Sequence, residues 1–428
     1  MTTTTSASLI VGAASSARCG GPTAGALQRH ALDAVGTRFA ETLDAVGWMS
    51  SGSSAASSAM LHDATRDNTL ADPAFRYLLS ALRRTADNPD LLLELLGTGL
   101  TDFAWPAQLA AGARSAWRSR LDDAGGLRAG GTPCFVEFGP AYAHADVHLA
   151  VADHRMTATI ASDGLTVEVL HEDLASVGSA LDGSEVATIA DHGFAISPVS
   201  YTGNGIPISG RDPWLRPRLT GTNQRSDGTT FFEATWDHYA VDPQFAGLER
   251  AWHLVGSVWP EALDEIAVFV RRIVPLQTGP DAHLAFTVGS RQGAIFLGQA
   301  PPLDLAEMVL HEAAHVKLRQ MQLLDSLLVD PLDEQRRVSV PWRPDPRPIP
   351  GVLEGLFVFS HIAELHCRLI AARAFDVEAV AHLVEVTRDR LEHLRFAQRE
   401  LSTSELTPCG HEVVAALGRW IAELGDHV

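Results

Sequence analysis

The segment His311-Glu312-Ala313-Ala314-His315 constrains this chain more than any other. On an α-helix, positions four apart share a face, so His311 and His315 can present both imidazoles to one metal ion. Glu312 then lies one step around the turn, beside a metal-bound water or a further ligand. Helix-borne zinc hydrolases use this arrangement. The surrounding run, Ala306 to Leu324, reads as helical. Pro301-Pro302 closes the preceding segment, and Asp304 with Glu307 reads as an acidic capping box that starts the helix. Leu305, Met308, Val309, Leu310, Ala313, Ala314 and Leu318 are mostly apolar and place the imidazoles in a partly buried setting, where buried polar groups need partners. A plain surface helix with two solvated imidazoles would not carry so many apolar neighbours.

At 428 residues the chain holds two or three domains' worth of core. A charged fraction of 20% and a hydrophobic fraction of 46% are those of an ordinary soluble globular protein. The formal net charge of −19 argues against a nucleic-acid binder and against an anionic membrane surface. Cys19, Cys134, Cys367 and Cys409 are scattered, with no CxxC pair, which fits a reducing compartment. No stretch approaches membrane-spanning length, and Met1 to Ser8 lacks a basic signal-peptide start, so the expected location is the cytoplasm.

The texture changes twice along the chain, predicting an α+β protein in three regions. Residues 1–130 read as a helical N-terminal region, with Leu79, Leu82 and the Leu91-to-Leu96 run as core stripes and a Ser/Gly loop from Ser50 to Ser58. Residues 131–235 read as β-rich, in short alternating runs such as Val147 to Val151 and Leu165 to Val169. His144, His148 and His154 fall here at spacings that suit a metal cluster on a helix better than on a strand. Residues 236–428 form a mostly helical, zincin-like region carrying the HExxH helix. Within it, Phe245 to Leu276 reads as one long amphipathic helix that Pro260 can kink. Strands follow at His283–Val288 and Gly293–Leu297, and after the HExxH helix come three more helices. Asp330 to Pro350 is so rich in proline that it reads as a long rigid loop, a wall for a pocket.

Two imidazoles rarely hold a catalytic metal alone. Glu354, among apolar neighbours just after the Pro-rich loop, is the candidate third ligand, because an ionised carboxylate there needs a cation. A plain helix N-terminal acid is the competing reading. His361, two turns along, is the alternative third ligand. Arg343 and Arg347, set in the Pro-rich loop, suggest a bidentate carboxylate clamp beside the metal; pairing of an Arg with Asp345 or stacking on Trp342 is the structural alternative.

Three stretches then match a known pattern: Gly293-Ala294-Ile295-Phe296-Leu297; Leu305-Ala306-Glu307 followed by His311-Glu312-x-x-His315-x-Lys317-Leu318; and Pro341-Trp342-Arg343-x-Asp345-Pro346-Arg347-Pro348-x-x-Gly351-x-Leu353-x-Gly355. With Asp212-Pro213-Trp214 and Ile273-Val274-Pro275-Leu276, the chain from Gly210 to Ala374, about two fifths of the whole, resembles the HEXXH-motif peptide-modification proteins. The resemblance implies a non-cupin, Fe(II)- and 2-oxoglutarate-dependent peptide β-hydroxylase acting on a ribosomally made precursor peptide. It implies His311, His315 and Glu354 as iron ligands, Arg343 with Arg347 for 2-oxoglutarate, and Glu312 orienting water or substrate. The family commonly shows His or Gln where this chain has Glu354. Two other readings stand beside it: a Zn2+ metallopeptidase with Glu312 as general base, and a non-enzymatic peptide-recognition module whose metal only staples helices.

Overall fold

The computed structural model describes residues 246–428 almost throughout, 277–283, 333 and 334 aside. In the first half it describes 22–45, 72–84, 114–121, 126–129, 134–138, 140–170 without 163, 195–197, 200–208 and a few single positions. The Ser50–Ser58 loop and the Leu91-to-Leu96 stripe fall outside the described residues. Helices and sheets are both present, as an α+β protein requires. The chain divides into two compact units, one of Met1–Ala31, Pro217–Thr287 and Ile295–Val428, the other of Leu32–Arg216 and Val288–Ala294.

Helices α1 (Pro22–Ala45) and α2 (Pro73–Arg84) fit the helical reading of the N-terminal stretch. Strands β1 (Ser115–Arg120) and β2 (Gly126–Ala129) do not, because sheet structure starts well before residue 131. In β1 Ser119 is buried while Ala116, Arg118 and Arg120 are exposed, so its alternation is carried by small and charged residues at these positions and gives no apolar period to read. Strands β3 (Cys134–Glu137), β4 (Asp146–Ala152), β5 (Arg155–Ile160), β6 (Thr166–Leu170), β7 (Ala195–Ser197), β8 (Ser200–Tyr201) and β9 (Pro207–Ile208) follow. One antiparallel sheet runs β1-β4-β5-β6 and another β2-β3-β7. In β4 the odd positions Val147, Leu149 and Val151 are buried and the even ones exposed, so one face meets the core. Met156, Ala158, Ile160, Val167 and Val169 continue that face. His148 lies on the exposed face opposite Thr159 and Arg118. His154 sits in the β4–β5 turn with positive φ and holds the Leu109 carbonyl at 3.1 Å, so the three histidines share no cluster.

A buried ion triad ties this unit together. Arg128 of β2 meets Asp72 at 2.8 Å and Asp212 at 2.6 Å, all three side chains almost fully enclosed. Asp72 also caps α2 by accepting from Ala74 N. Removing either acid would leave a buried guanidinium undercompensated. Asp212 is thus a structural anchor.

The other unit is a helical assembly on a small sheet. The expected long helix is two: α3 (Ala246–Val258) and α4 (Pro260–Phe269). Pro260 begins α4 and Val270 leaves it in extended conformation. Ile273 and Val274, read as helical, instead belong to strand β10 (Arg272–Pro275), buried at every position. A short apolar run does not distinguish a buried strand from a buried helix. Strands β11 (Ala285–Thr287) and β12 (Ala294–Leu297) pair antiparallel, with β12 next to β10, and the Phe286 and Phe296 rings stack at 4.7 Å.

Helix α5 (Pro302–Gln322) carries the HExxH turn. Its N-cap is Pro301, with no side-chain cap, so the Asp304/Glu307 capping box does not form. The Pro-rich segment holds one minimal hairpin, β13 (Arg337–Val338) with β14 (Arg347–Pro348), before helix α6 (Ile349–Ala372) begins with Pro350 in its first turn. Helices α7 (Val377–Ser402) and α8 (Pro408–Gly425) close the chain, capped by Asp376 and Thr407 side chains that accept from Ala379 N and Gly410 N. Among the described residues, α6 is the one helix long and apolar enough to cross a membrane, and 67% of its apolar window is buried inside the protein. It is the central strut that faces α5, α7 and α8.

Candidate metal centre

Helix α5 is buried on most of its circumference, which leaves only a narrow stripe for function. His311 and His315 occupy that stripe, half-buried, with ring centroids 5.0 Å apart at 66°. Since a metal–nitrogen bond is about 2.1 Å, both rings can reach one ion placed between them. Burial first, then the charge of Arg390, pushes the His311 imidazolium down to about 4, against the pull of Glu307. Burial, then the charges of His311, Arg319 and Arg347, pushes His315 down to about 3. Both rings are therefore neutral at neutral pH and keep a lone pair for a ligand.

Glu312 is 4% exposed and points away from solvent. Burial raises its carboxyl to about 8; the Thr287 hydrogen bond and the Arg319 charge oppose this, and the Glu354 charge adds to it. Without a cation nearby it is a neutral acid at pH 7; a divalent ion between the imidazoles would draw it back toward carboxylate. Thr287, at the end of β11, thus links the sheet to the HExxH turn.

Glu354 lies half-buried in α6, close enough for its charge to act on Glu312. It is not gathered with the two imidazoles: among the described residues no group of three His, Cys, Asp or Glu stands close enough to hold a metal ion. His361 stands elsewhere. Its Nδ1 is 2.9 Å from the Phe357 carbonyl, its ring packs edge-on against Trp420 at 5.2 Å, and it faces Leu310, Ala313 and Ala314. His366 turns to Glu307.

The arginines divide. Arg343 is exposed and bonds Asp345 at 3.0 Å, holding that carboxyl below its usual range; the structural alternative describes its contacts. Arg347 is half-buried, its guanidinium lying over Gly351: a Cβ there would be 3.1 Å from Arg347 Nε. Its charge is felt at His315, and that of Arg343 is not among the causes acting on either imidazole. Arg390, from α7, was not a sequence candidate. It stacks over Phe359 at 5.4 Å, approaches Glu307 at 3.6 Å and acts on His311. Burial lowers its guanidinium pKa, partly offset by Glu307. Arg390 sits in the run Arg388-Asp389-Arg390, where periodicity alone does not say which cation turns inward.

An aromatic wall completes the surroundings. Phe359 meets His311 edge-on at 5.5 Å, Trp342 meets Phe359 at 5.9 Å, and His393 lies 6.3 Å from Trp342. Gly355 makes this possible, since a Cβ there would stand 2.9 Å from Trp342 Cζ2. The group that Gly355 admits is the indole of the Pro-rich loop.

Behind His311 runs a buried polar chain. Glu307, one turn earlier on α5, meets His366 Nε2 at 2.8 Å, and His366 Nδ1 is 3.2 Å from Thr387 Oγ1. The Thr387 hydroxyl donates to the Leu383 carbonyl at 2.6 Å, so its oxygen serves as acceptor toward His366. Burial alone would raise Glu307, but the His366 hydrogen bond and the charges of His366, Arg390 and His311 outweigh it and hold the carboxyl low. Lys317, also inside, bonds Glu265 at 2.7 Å. The Glu307–His366 link joins α5 to α6 and α7 across 59 positions of sequence, which no local signal records.

A scan against protein-family models and a search of the curated proteins found no match to this chain.

Proposed function

We propose that this chain is an Fe(II)- and 2-oxoglutarate-dependent oxygenase that β-hydroxylates a residue of a ribosomally made precursor peptide in the cytoplasm. The observation that carries the reading is the pair of neutral imidazoles, His311 and His315, flanked by two partly buried guanidinium groups, Arg390 and Arg347. A dicarboxylate bound at the metal needs a cation within reach, and Arg grips a carboxylate bidentately. In this reading the HExxH region is zincin-like in fold, and His311 and His315 would hold the metal, with Glu354 completing two imidazoles and a carboxylate only once its side chain, which does not stand with them, swings in. When bound, Fe(II) with 2-oxoglutarate supplies the oxidising power that splits O2, placing one oxygen atom in the peptide C–H bond and the other in succinate, with loss of CO2.

The rest is the work of the chain. The imidazoles arrive deprotonated, so ligation displaces no proton from them. Glu307 and His366 fix the turn that carries His311. Phe359 and Trp342 exclude water from one side and offer flat apolar surface to a peptide side chain. Glu312, bonded to Thr287, orients a water or a substrate group. Arg343 is taken up by Asp345, and Arg347 with Arg390 takes over the anion clamp expected of Arg343 and Arg347.

The Zn2+ peptidase reading draws support from Glu312, which follows His311 as a general base does in such enzymes. Incubation with Fe(II), 2-oxoglutarate, O2 and a precursor peptide encoded nearby separates the two. Gain of one oxygen atom with equimolar succinate supports the oxygenase. Peptide fragments formed with Zn2+ and no 2-oxoglutarate would sink it.

A further inference from the structure

A second polar site lies on a different face of α5, behind Ala313 and Ala314. There α4, α5 and α6 surround a small cavity of about 20 Å3, lined among others by Trp259, Glu261, Glu265, Ala313, Ala314 and His361. Two of these side chains are enclosed and incomplete. Trp259 is 1% exposed and His361 4% exposed. Neither Trp259 Nε1 nor His361 Nε2 has a hydrogen-bond partner in the protein.

Their chemistry is complementary. The Phe357 carbonyl, 2.9 Å from His361 Nδ1, only accepts, so Nδ1 carries the hydrogen and Nε2 is a bare lone pair. Burial holds the ring neutral, which keeps that assignment over the working pH range. Trp259 Nε1 only donates. The adjacent carboxylate of Glu265 already accepts from Lys317 through Oε1 and retains capacity on its other oxygen. Buried polar groups are otherwise almost always satisfied, and a cavity of this size with several polar partners suits one bound water or a similarly small hydroxyl compound.

We propose that this cleft binds a hydroxyl group, that of a water molecule or of a small alcohol, which accepts from Trp259 Nε1–H and donates to His361 Nε2. A hydroxyl is the smallest group that does both at once. Neither a halide nor a metal cation does: a halide cannot donate to Nε2 and a metal cation cannot accept from the indole. His361 is thereby a ligand-binding residue of this second site and not a metal ligand. The site bridges α4 and α6 across the back of the HExxH turn.

Crystals of the full chain, in aqueous buffer and after a methanol soak, test this directly. The expected result is density within hydrogen-bond distance of both Trp259 Nε1 and His361 Nε2. A peak in buffer that grows by one carbon in methanol assigns a hydroxyl site open to alcohols; a peak unchanged by methanol assigns a hydration site. His361→Leu, which replaces the acceptor by apolar bulk, should lose the density and keep iron binding unchanged. Trp259→Phe, which removes the donor N–H together with part of the ring, serves as the second variant should His361→Leu fail to fold. Absence of density at both atoms in the wild-type crystals overturns the proposal. So does loss of iron binding in a folded His361→Leu protein.

Discussion

Acid should destabilise the metal-free chain, and the site itself sets the size of the effect. His311, His315 and His361 stand at about 4, 3 and 3 in the fold, against 6.5 for a free side chain. Between those values the unfolded chain binds more protons than the folded one, so each ring removes stability as pH falls below 6.5. Glu312 works the other way. Its folded value of about 8 lies above 4.5, so the fold is penalised at neutral pH, and the penalty is relieved as pH falls toward 4.5. From pH 6.5 to pH 5 the three rings together remove up to about 5 kcal/mol and Glu312 returns about 2, a net loss of up to about 3 kcal/mol. Urea denaturation followed by circular dichroism, with a chelator present, should show the midpoint falling over that interval. His361→Leu should shrink the drop by about a third of what the three rings remove. A midpoint that is constant or higher at pH 5 would refute the claim that these rings are buried neutral. Saturating metal should steepen the acid sensitivity, because a cation draws Glu312 back toward carboxylate and so removes the stability it returns as pH falls.

Other consequences of the packing can be measured one at a time. Arg390→Ala should raise the 2-oxoglutarate requirement about tenfold or more, roughly 1.4 kcal/mol of binding, with metal retained; Arg343→Ala, exposed and paired with Asp345, should leave it unchanged in the same steady-state assay. Gly355→Ala places a methyl 2.9 Å from Trp342 Cζ2. It should displace the indole at a cost of about 1–3 kcal/mol, seen in thermal melts and in tryptophan emission. Asp376→Ala removes the cap of α7 and should cost about 1 kcal/mol in denaturant titration without altering metal binding.

What the sequence made legible follows from what is local. The HExxH spacing places His311 and His315 side by side because helical geometry alone does so, and proline marks the start of α4, α5 and α6 within a residue or two. What depended on distant partners was not readable. Glu307 resembles half of a capping box until His366, far along the chain, claims it. The Arg343–Asp345 pair, by contrast, is local and readable as the alternative to a clamp, whereas Arg390 is one of several charges on an amphipathic helix until tertiary packing turns it over Phe359. The strand at Ile273–Val274 has the apolar texture of a helix because both its faces are covered. Glu354 lies in α6, where its charge acts on Glu312, but the apolar neighbours that suggest a ligand do not fix how its carboxylate is aimed.

The central claim is that His311 and His315 hold an iron that, with 2-oxoglutarate, oxygenates a peptide. It is tested most directly by anaerobic Fe(II) titration of the full chain, wild type against the His311→Ala/His315→Ala double variant, followed by exposure to O2 with 2-oxoglutarate and the neighbouring precursor peptide. The account predicts one tightly bound iron in the wild type, none in the double variant, and succinate formed in step with each oxygen atom gained by the peptide. Iron bound equally by both proteins, or oxygen gained without succinate, would contradict it.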